Sequence, residues 1–363
     1  MIRAKSAFGR LWKGPFGTYL IIVVAYIVFQ LLSSTGNLPS VIVGLLPTIC
    51  AYIAAAVSLN LVVGISGELS LGHAGFMSVG AYSGVVAATC YSAVIDAPWL
   101  VFILAMLTGA VFAAIAGFVV GVPVMRLSGD YLAIVTLAFG EIIKNIMNNL
   151  YVGLDASGLH FSFSSAQDLG MVNGNIIING PQGAVGIEQL STFFWGFLLV
   201  MLTVAVVLNL MRSRSGRAIM AVRDNAIAAE SVGINTTKYR LMAFVVASAL
   251  AGMAGLMYAM NYNSVVPVRF DYNASILILV YVVLGGIGNI RGSLVSTTVL
   301  VVLPEVLRFM SEYRMLIYAI VLIAVMVLPN VPAVQRFLDY IQDRIPFFRS
   351  RDEVPGDVTE GAE

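Results

Sequence analysis

The sequence predicts an all-α polytopic membrane protein, and three observations support that prediction. Hydrophobic residues make up 59% of the 363 residues, charged residues only 11%, and mean hydropathy is +0.92. An ordinary soluble domain has about 25% charged residues. About ten segments approach the roughly 20 apolar residues that one helix needs to cross a bilayer. The predicted segments are 17–33, 41–63, 70–92, 98–124, 130–150, 193–211, 241–261, 273–290, 293–309 and 315–331.

Small residues predict how some of these segments pack. Segments 70–92 and 273–290 are rich in glycine, which favours broken or re-entrant helices as an alternative to straight spans. Gly80 and Gly84 have the spacing of a close helix–helix contact. A stripe of Ala247, Ala251 and Gly255 predicts the same tight packing for segment 241–261, in preference to substrate contact.

Charge predicts the topology. Residues 1–16 carry Arg3, Lys5, Arg10 and Lys13 and are expected to be a cytoplasmic N-terminal segment rather than part of a cleaved signal. With residues 17–331 as the transmembrane domain and ten crossings, most Lys and Arg residues fall inside, and the C-terminal tail 332–363 is also cytoplasmic and partly disordered.

The loop 151–192 is predicted to lie outside the cell membrane. It contains Asp155, Asp168 and Glu188 but no Lys or Arg, and cytoplasmic loops are normally enriched in those basic residues. Its Gly, Asn and Ser content, including NGPQG at 179–183, predicts turns and an irregular lid rather than a packed domain.

The most informative stretch is the basic loop 212–240. It is predicted to form a short helix from about Asn225 to Val232, a break at Gly233, and a new membrane helix capped by Asn235. One interpretation is a docking surface for a cytosolic partner. The other is a solvated basic loop that obeys charge topology. The basic residues are Arg212, Arg214, Arg217, Arg223, Lys238 and Arg240.

Three polar residues near the start of the third segment are candidates for a translocation pathway: Glu68, Ser70 and His73. An ionisable group at membrane depth costs about 2.5 to 3.5 kcal/mol on insertion scales, so Glu68 and His73 are expected to face protein or a water-filled cavity. The alternative places Glu68 in water at the cytoplasmic end and makes His73 an interhelical hydrogen-bonding residue.

The fifth segment carries a second set of pathway candidates. Glu141, Asn145 and Asn148 recur at helical spacing, which places them on one face of the outer half of a helix. That face either lines a vestibule or is neutralised by Lys144, one turn from Glu141.

Several functional classes are excluded by missing motifs. The phosphate-binding pattern G-x-x-x-x-G-K-[ST] is absent, so the chain is not expected to bind ATP itself. Its two histidines do not supply a zincin-type metal site, and no G-x-S-x-G elbow is present. The sequence has no basic patch interleaved with aromatic residues, so nucleic-acid binding is not predicted. We therefore expect no catalytic, cofactor or metal site on this chain.

Five motifs in order carry a family resemblance. The chain resembles the membrane subunits of branched-chain amino acid ABC importers, of the LivM type, over about residues 45–328. NGPQG at 179–183 resembles the outer-loop signature of that family, which more often has Thr-Gly-Gly where this chain has Asn179 and Gly180. Glu68 also departs from the pattern of that family, whose members usually carry an uncharged residue at this position. The other motifs are SLGHAGFMSVGAY at 70–82, RLSGDYLAIVTLAFGEI at 126–142, SRSGRAIMAVRDNAIAAESVGINTTKYRLMAF at 213–244 and VYVVLGGIGNIRGSLVS at 280–296.

The resemblance implies an ABC importer permease fold in a bacterial or archaeal plasma (inner) membrane. It also implies a second homologous permease subunit, two cytosolic ABC ATPases that bind ATP and Mg, and an extracytoplasmic solute-binding protein. The implied solutes are leucine, isoleucine and valine. Urea, short amides or other amino acids remain alternatives within the same class.

The resemblance further implies that 212–240 is the ATPase-coupling loop. Its short helix would seat on the ATPase, and Arg217 and Arg223, which flank that helix, would pair with acids there. The matched positions are Ala228, Ala229, Glu230 and Gly233.

Two other classes remain as alternatives to the importer. An ion-coupled secondary transporter would use Glu68, His73 or Glu141 as proton sites, but it leaves the basic loop without a role. A channel of the urea or formate kind would make the glycine-rich segments pore-lining half-helices.

Overall fold

A computed structural model describes residues 15–36, 39–127, 129–155, 157–171, 174–310, 313, 316–317, 319–321 and 323. Most of the predicted N-terminal segment, most of the tenth predicted helix and the whole tail 332–363 lie outside these residues. The chain divides into two compact units, Met1–Val302 and Leu303–Glu363.

The described part of the chain is mostly helical, and each of the first nine predicted segments contains a helix there. A π-helix, Leu61–Ser66, directly follows the second of the α-helices. The α-helices are α1 Pro15–Ser34, α2 Ser40–Asn60, α3 His73–Ser92, α4 Pro98–Val124, α5 Asp130–Asn148, α6 Phe193–Arg212, α7 Arg214–Asp224, α8 Ala226–Ser231, α9 Thr236–Ala259, α10 Tyr272–Gly285 and α11 Ile290–Val306.

Five of the described helices are long and apolar enough to cross a membrane by length and composition, which is fewer than the ten predicted crossings. These are Gly17–Ser34, Ser40–Ser66, Pro98–Val124, Phe193–Arg212 and Thr236–Ala259. The other four of the first nine predicted segments form shorter or more polar helices. The 14 residues of α10, for example, reach only about 21 Å at 1.5 Å per residue.

The core of the first unit forms where α9 packs against α3 and α4, with α2 beside them. A Cβ added to Gly80 of α3 would overlap the Cα of Gly252 in α9, so the two backbones touch. The stripe of Ala247, Ala251 and Gly255 is buried in this contact. The prediction of tight packing for these small residues is confirmed.

Two of the shorter helices begin inside the bundle. Ser275 in the first turn of α10 accepts a hydrogen bond at 3.0 Å from the backbone N–H of Ala74 in the first turn of α3. The connection before α3 packs on α5, where Leu71 N–H donates to Thr136 Oγ1 at 3.0 Å. Thr136 lies about 9 Å along the α5 axis from its start. The first turns of α3 and α10 therefore meet within the bundle, and the prediction that the glycine-rich segments are broken or re-entrant stays a prediction.

The loop 151–192 contributes four strands to a five-stranded antiparallel sheet, so the predictions of an irregular lid and of an all-α chain were wrong here. The strand order is β2-β1-β3-β4-β5. Val152 of β1, the second strand in this order, pairs with Phe161 of β2 on one side and with Ile178 of β3 on the other. Tyr82 of α3 donates its hydroxyl to Val265 O at 2.8 Å and anchors the sheet to the helices. The strands are β1 Tyr151–Asp155, β2 Gly158–Ser162, β3 Asn175–Asn179, β4 Ala184–Val185 and β5 Ser264–Val265.

Candidate functional site

The basic loop 212–240, called the coupling loop below after the role that the resemblance implies, contains two short helices, α7 and α8, before α9 begins. The predicted order of short helix, break and new helix is confirmed, and α7 is an addition that the pattern did not predict. Each helix begins at a side-chain cap that satisfies a backbone N–H of its first turn. The cap bonds are Gly216 N to Ser213 Oγ at 3.0 Å, Ala228 N to Asn225 Oδ1 at 3.0 Å and Lys238 N to Asn235 Oδ1 at 2.9 Å.

Gly233 ends α8 in the way the sequence predicts. Its φ of +84° lies in the left-handed region that favours glycine. Gly233 N–H donates to Glu230 O at 2.9 Å, and Ile234 N–H donates to Ala229 O at 3.0 Å. This pair of bonds is a Schellman motif, which closes the helix and sets the direction of the chain that follows.

Two large apolar residues, one in α8 and one at its C-terminal cap, are strongly exposed. Ile227 is 82% exposed and Val232 is 75% exposed, whereas Ala229 is buried beneath them. Glu230 accepts a hydrogen bond from the Thr236 hydroxyl at 2.7 Å and so ties α8 to the first turn of α9. Sequence reasoning named the small residues of this helix and missed Ile227 and Val232, although isolated large apolar residues in a basic loop were visible.

The two arginines that flank α8 in the prediction face different surroundings. Arg217 is exposed, and its Nη1 donates to Arg212 O at 3.0 Å. Arg223 donates Nη1 to Gly64 O, in the π-helix, at 3.1 Å. Its Nε and Nη2 donate to Asp224 Oδ1 at 3.0 and 2.8 Å. Arg223 thus contacts a membrane segment, and its predicted pairing with acids on a partner stays a prediction.

Glu68 lies in the connection between the π-helix and α3, and it is only 7% exposed. Its Oε1 lies 2.8 Å from Arg240 Nε, an ion pair whose geometry is not that of a directional hydrogen bond. Burial raises the pKa of the Glu68 carboxyl, and the Arg240 guanidinium lowers it in part. The interpretation that placed Glu68 in water was wrong, because the carboxylate is buried against a cation of the coupling loop.

His73 and Ser70 are both buried at the start of α3. His73 Nε2 lies 2.8 Å from Ser58 Oγ of α2, so the alternative that made His73 an interhelical hydrogen-bonding residue is confirmed. Ser70 Oγ has no hydrogen-bond partner among the described residues. Polar groups in such positions are normally satisfied, which leaves Ser70 as a pathway candidate.

The side chain of Glu141, in α5, contacts the start of α10. Its Oε1 accepts from Tyr272 N–H at 3.0 Å, and its Oε2 forms an ion pair with Lys144. The alternative in which Lys144 neutralises Glu141 is therefore confirmed. Asn145, one turn further along α5, has an exposed side chain.

The candidates fall into two groups in the structure. Ser70, His73 and Glu141 lie near the neighbouring starts of α3 and α10, and the coupling-loop residues lie around α8. Arg223 and the Glu68 ion pair connect the two groups. Sequence reasoning gave Arg240 no role beyond its basic charge, because the pairing of residues 172 positions apart has no local pattern.

Asn60 was also missed. It is fully buried, its Oδ1 accepts from Gly288 N–H at 2.8 Å, and its Nδ2 donates to Ser293 Oγ at 2.9 Å. One side chain therefore joins the end of α2 to the turn between α10 and α11. A buried Asn in an otherwise apolar segment was the available signal.

Comparison with known proteins gives a family match over most of the chain. Residues 41–326 match the family described as "Branched-chain amino acid transport system / permease component". The chain is 33% identical over 288 residues to the LivM permease protein of Salmonella typhimurium, covering 76% of this chain and 66% of that protein. The matched part thus spans slightly less than two thirds of that relative.

More distant relatives include a second type of subunit. The chain is 23% identical over 284 residues to the LivH permease protein of Escherichia coli K12, covering 77% of this chain and 90% of that protein. It is 25% identical to a probable LivM of Methanocaldococcus jannaschii, covering 58% of this chain and 59% of that protein. No solved structure matches the chain.

Proposed function

The chain belongs to the family of branched-chain amino acid transport system permease components, and from that premise we propose that it is the membrane-spanning permease subunit of an ATP-binding cassette importer. The proposed solutes are leucine, isoleucine and valine. The observation that carries the proposal is α8, a capped helix that presents Ile227 and Val232 outward from a loop predicted to be cytoplasmic. An exposed apolar pair on a polar loop is typical of a protein docking site.

ATP hydrolysis resides on two partner ATPases that bind ATP and Mg, and this chain is not an enzyme. The apolar face of α8 seats in a groove of the ATPase, with Ala228 allowing close approach. Arg217, exposed at the start of α7, is the arginine available to pair with an acid of the ATPase.

The second permease subunit is a homologue of this chain. Support comes from the relatives, since both LivM and LivH are named as permease proteins of a high-affinity branched-chain amino acid transport system, and this chain is similar to both. A heterodimer of one LivM-type and one LivH-type subunit follows.

The solute-binding protein docks on the outer sheet. Leu159, Phe161 and Phe163 are exposed at alternate positions along the edge strand β2 and its end, so they lie on one face. The loop that carries them has acids but no Lys or Arg. A basic surface with an apolar centre is the complementary partner.

The transport cycle is alternating access. Dimerisation of the ATPases moves α8, and the helices that bear His73 and Glu141 open outward. Helices α3, α5, α10 and α11 complete the ten crossings together with the last predicted segment. The membrane site itself binds weakly, because the binding protein selects the solute and a tight internal site would slow release.

The ion pairs give no support to an ion-coupled carrier. Glu68 is paired with Arg240, and Glu141 is paired with Lys144. In each pair a cation of this chain already contacts the carboxylate, whereas a proton carrier must release and rebind its proton during each cycle.

Uptake into vesicles tests the proposal. The chain and its co-purifying subunits are reconstituted, and uptake of labelled leucine and labelled urea is measured with and without internal ATP and binding protein. ATP-dependent leucine uptake is expected. ATP-dependent urea uptake would keep the class and replace the solute, and ATP-independent uptake of either would overturn the proposal.

A further inference from the structure

We propose that Arg223 and Arg240 form a clamp that moves the segment before α3, from Gly64 to Glu68, together with the coupling loop. The arginine clamp consists of two contacts, Arg223 with Gly64 O and Arg240 with Glu68. The inference rests on the proposed function and adds to it the residues through which motion of α8 reaches the membrane helices.

The first contact grips the π-helix. Arg223 Nη1 donates to Gly64 O at 3.1 Å, and its aliphatic stem lies against Gly67, where an added Cβ would be 2.6 Å from Arg223 Cγ. The π-helix Leu61–Ser66 is buried along its whole length. π-Helices are rare and occur mostly as single turns, frequently at functional sites.

The second contact is at the other end of the same connection, at Glu68. Glu68 pairs with Arg240, which lies in the first turns of α9. The side chains of Arg240 and Glu68 are 20% and 9% exposed. Little water screens this pair, so the attraction is stronger than that of a surface ion pair.

The two arginines lie on either side of α8 in the chain, one at the end of α7 and one in α9. Both reach back to the same connection, from Gly64 to Glu68. A displacement of α8 by the ATPase is therefore transmitted to the connection at two points, Gly64 and Glu68. Both points then move in the same direction. The clamp converts motion of a surface loop into motion of a buried segment.

The buried segment leads directly to the pathway candidates. Ser70 follows Glu68 by two residues, and Ala74 N–H holds Ser275 of α10 at 3.0 Å. At the other end, Asn60 joins the π-helix to the turn between α10 and α11 through Gly288 N–H at 2.8 Å. Movement of the connection thus reaches both ends of α10.

The alternative is a pair that only neutralises a buried charge. Removing both charges together separates the two roles, because replacement of a whole buried ion pair is often neutral for stability, whereas removal of one partner is not. If the pair acts as a clamp, the variant that lacks both charges still folds but loses coupled transport. If the pair is only structural, the same variant transports like wild type.

The test uses the complete transporter, purified with its partner subunits and reconstituted with the solute-binding protein. Wild type is compared with the double variant Glu68→Gln, Arg240→Gln and with Arg223→Gln. Arg308→Gln is the matched control, because Arg308 forms an exposed ion pair with Glu305 within one turn. Complex yield, ATP hydrolysis and uptake of labelled leucine are measured for each.

We expect the double variant to assemble and hydrolyse ATP like wild type while uptake per ATP falls about tenfold, within the range of measured coupling energies. Arg223→Gln is expected to lower the same ratio by about threefold, and Arg308→Gln to leave it unchanged. A wild-type ratio in both test variants, or hydrolysis and uptake that fall together, would overturn the clamp.

A second readout separates the clamp from the proposed function. Leu69, next to Glu68, is 38% exposed, and Leu69→Cys is introduced with Cys90→Ser to report movement of the connection by thiol labelling. With a non-hydrolysable ATP analogue, the labelling rate is expected to change in the wild-type background and not in the double variant. Wild type without ATP-driven uptake overturns the proposed function, and unchanged labelling in the wild-type background overturns the clamp.

Discussion

The inner coupling loop and the outer loop are both polar connections between membrane helices, but they are stabilised in different ways. The inner loop is helical, and its caps come from residues three positions away from the N–H groups that they satisfy. The outer loop is a sheet whose strands pair with distant partners, including β5 beyond α9. Charge predicts that the two loops lie on opposite sides of the membrane, whereas the range of the stabilising contacts decides which loop structure can be predicted from the sequence.

The largest expected effect tests whether the inner loop depends on its contact with the membrane helices. Arg240→Gln leaves the buried Glu68 carboxylate without its cation, and loss of one partner of a buried pair costs about 3 to 5 kcal/mol. We expect a large fall in the thermal unfolding temperature of the purified complex. The double variant Arg240→Gln, Glu68→Gln should recover most of the lost unfolding temperature. If Arg240→Gln alone were as stable as wild type, the claim that the ion pair is buried and stabilising would be contradicted.

The next effect tests whether the end of α8 must be a left-handed turn. Gly233→Val forces a β-branched residue to φ of +84°, at a cost of roughly 1 to 2 kcal/mol, and redirects the chain into α9. ATP hydrolysis should persist while uptake is uncoupled from it. Gly233→Asn is the matched control, because Asn tolerates this region better. If the Gly233→Val variant kept coupled uptake, the proposed role of Gly233 in coupling would be contradicted.

A third test addresses the outward face of α8. Ile227→Ser removes an apolar side chain that is 82% exposed in the isolated chain. If the ATPase buries it, the change weakens docking by about 1.5 to 3 kcal/mol, or roughly tenfold or more in affinity, without destabilising the permease. The measurement is co-purification of the ATPase across a dilution series. Unchanged retention would show that α8 docks by another face.

The smallest effect is expected at the outer sheet. Phe161→Ser changes one exposed residue of β2, and its backbone pairing with Val152 remains. The permease should fold and retain its ATPases, while a several-fold higher concentration of binding protein is needed to stimulate ATP hydrolysis. His160→Ser is the control on the opposite face of the same strand. Equal effects of both variants would argue against a docking face.

The parts of the fold that the sequence predicts are those with local patterns. Apolar length located nine helices of the described residues, and Asn235 and Gly233 marked a cap and a stop with one residue each. The sheet was missed because glycine interrupts the short apolar run of β1 and asparagines bound the three-residue run of β3. The pairing register of the two strands also depends on residues that are distant in the sequence.

The same distinction applies to the candidate site. The sequence identifies Glu68, His73 and Glu141 as unusual because ionisable groups are rare at membrane depth. It does not identify their partners, since Arg240, Ser58 and Tyr272 lie on other elements. Residue type predicts which groups need a partner, and only the tertiary packing shows which partner each one has.

The hydrogen bond between Ala74 and Ser275 has a consequence for how the chain is made. The two residues are 201 positions apart, so at roughly 5 to 20 residues per second the ribosome adds Ser275 some 10 to 40 s after Ala74. During that interval the start of α3 waits in or beside the bilayer without its final neighbour. The contact between the first turns of α3 and α10 therefore forms late in synthesis, after the intervening long apolar helices have been made.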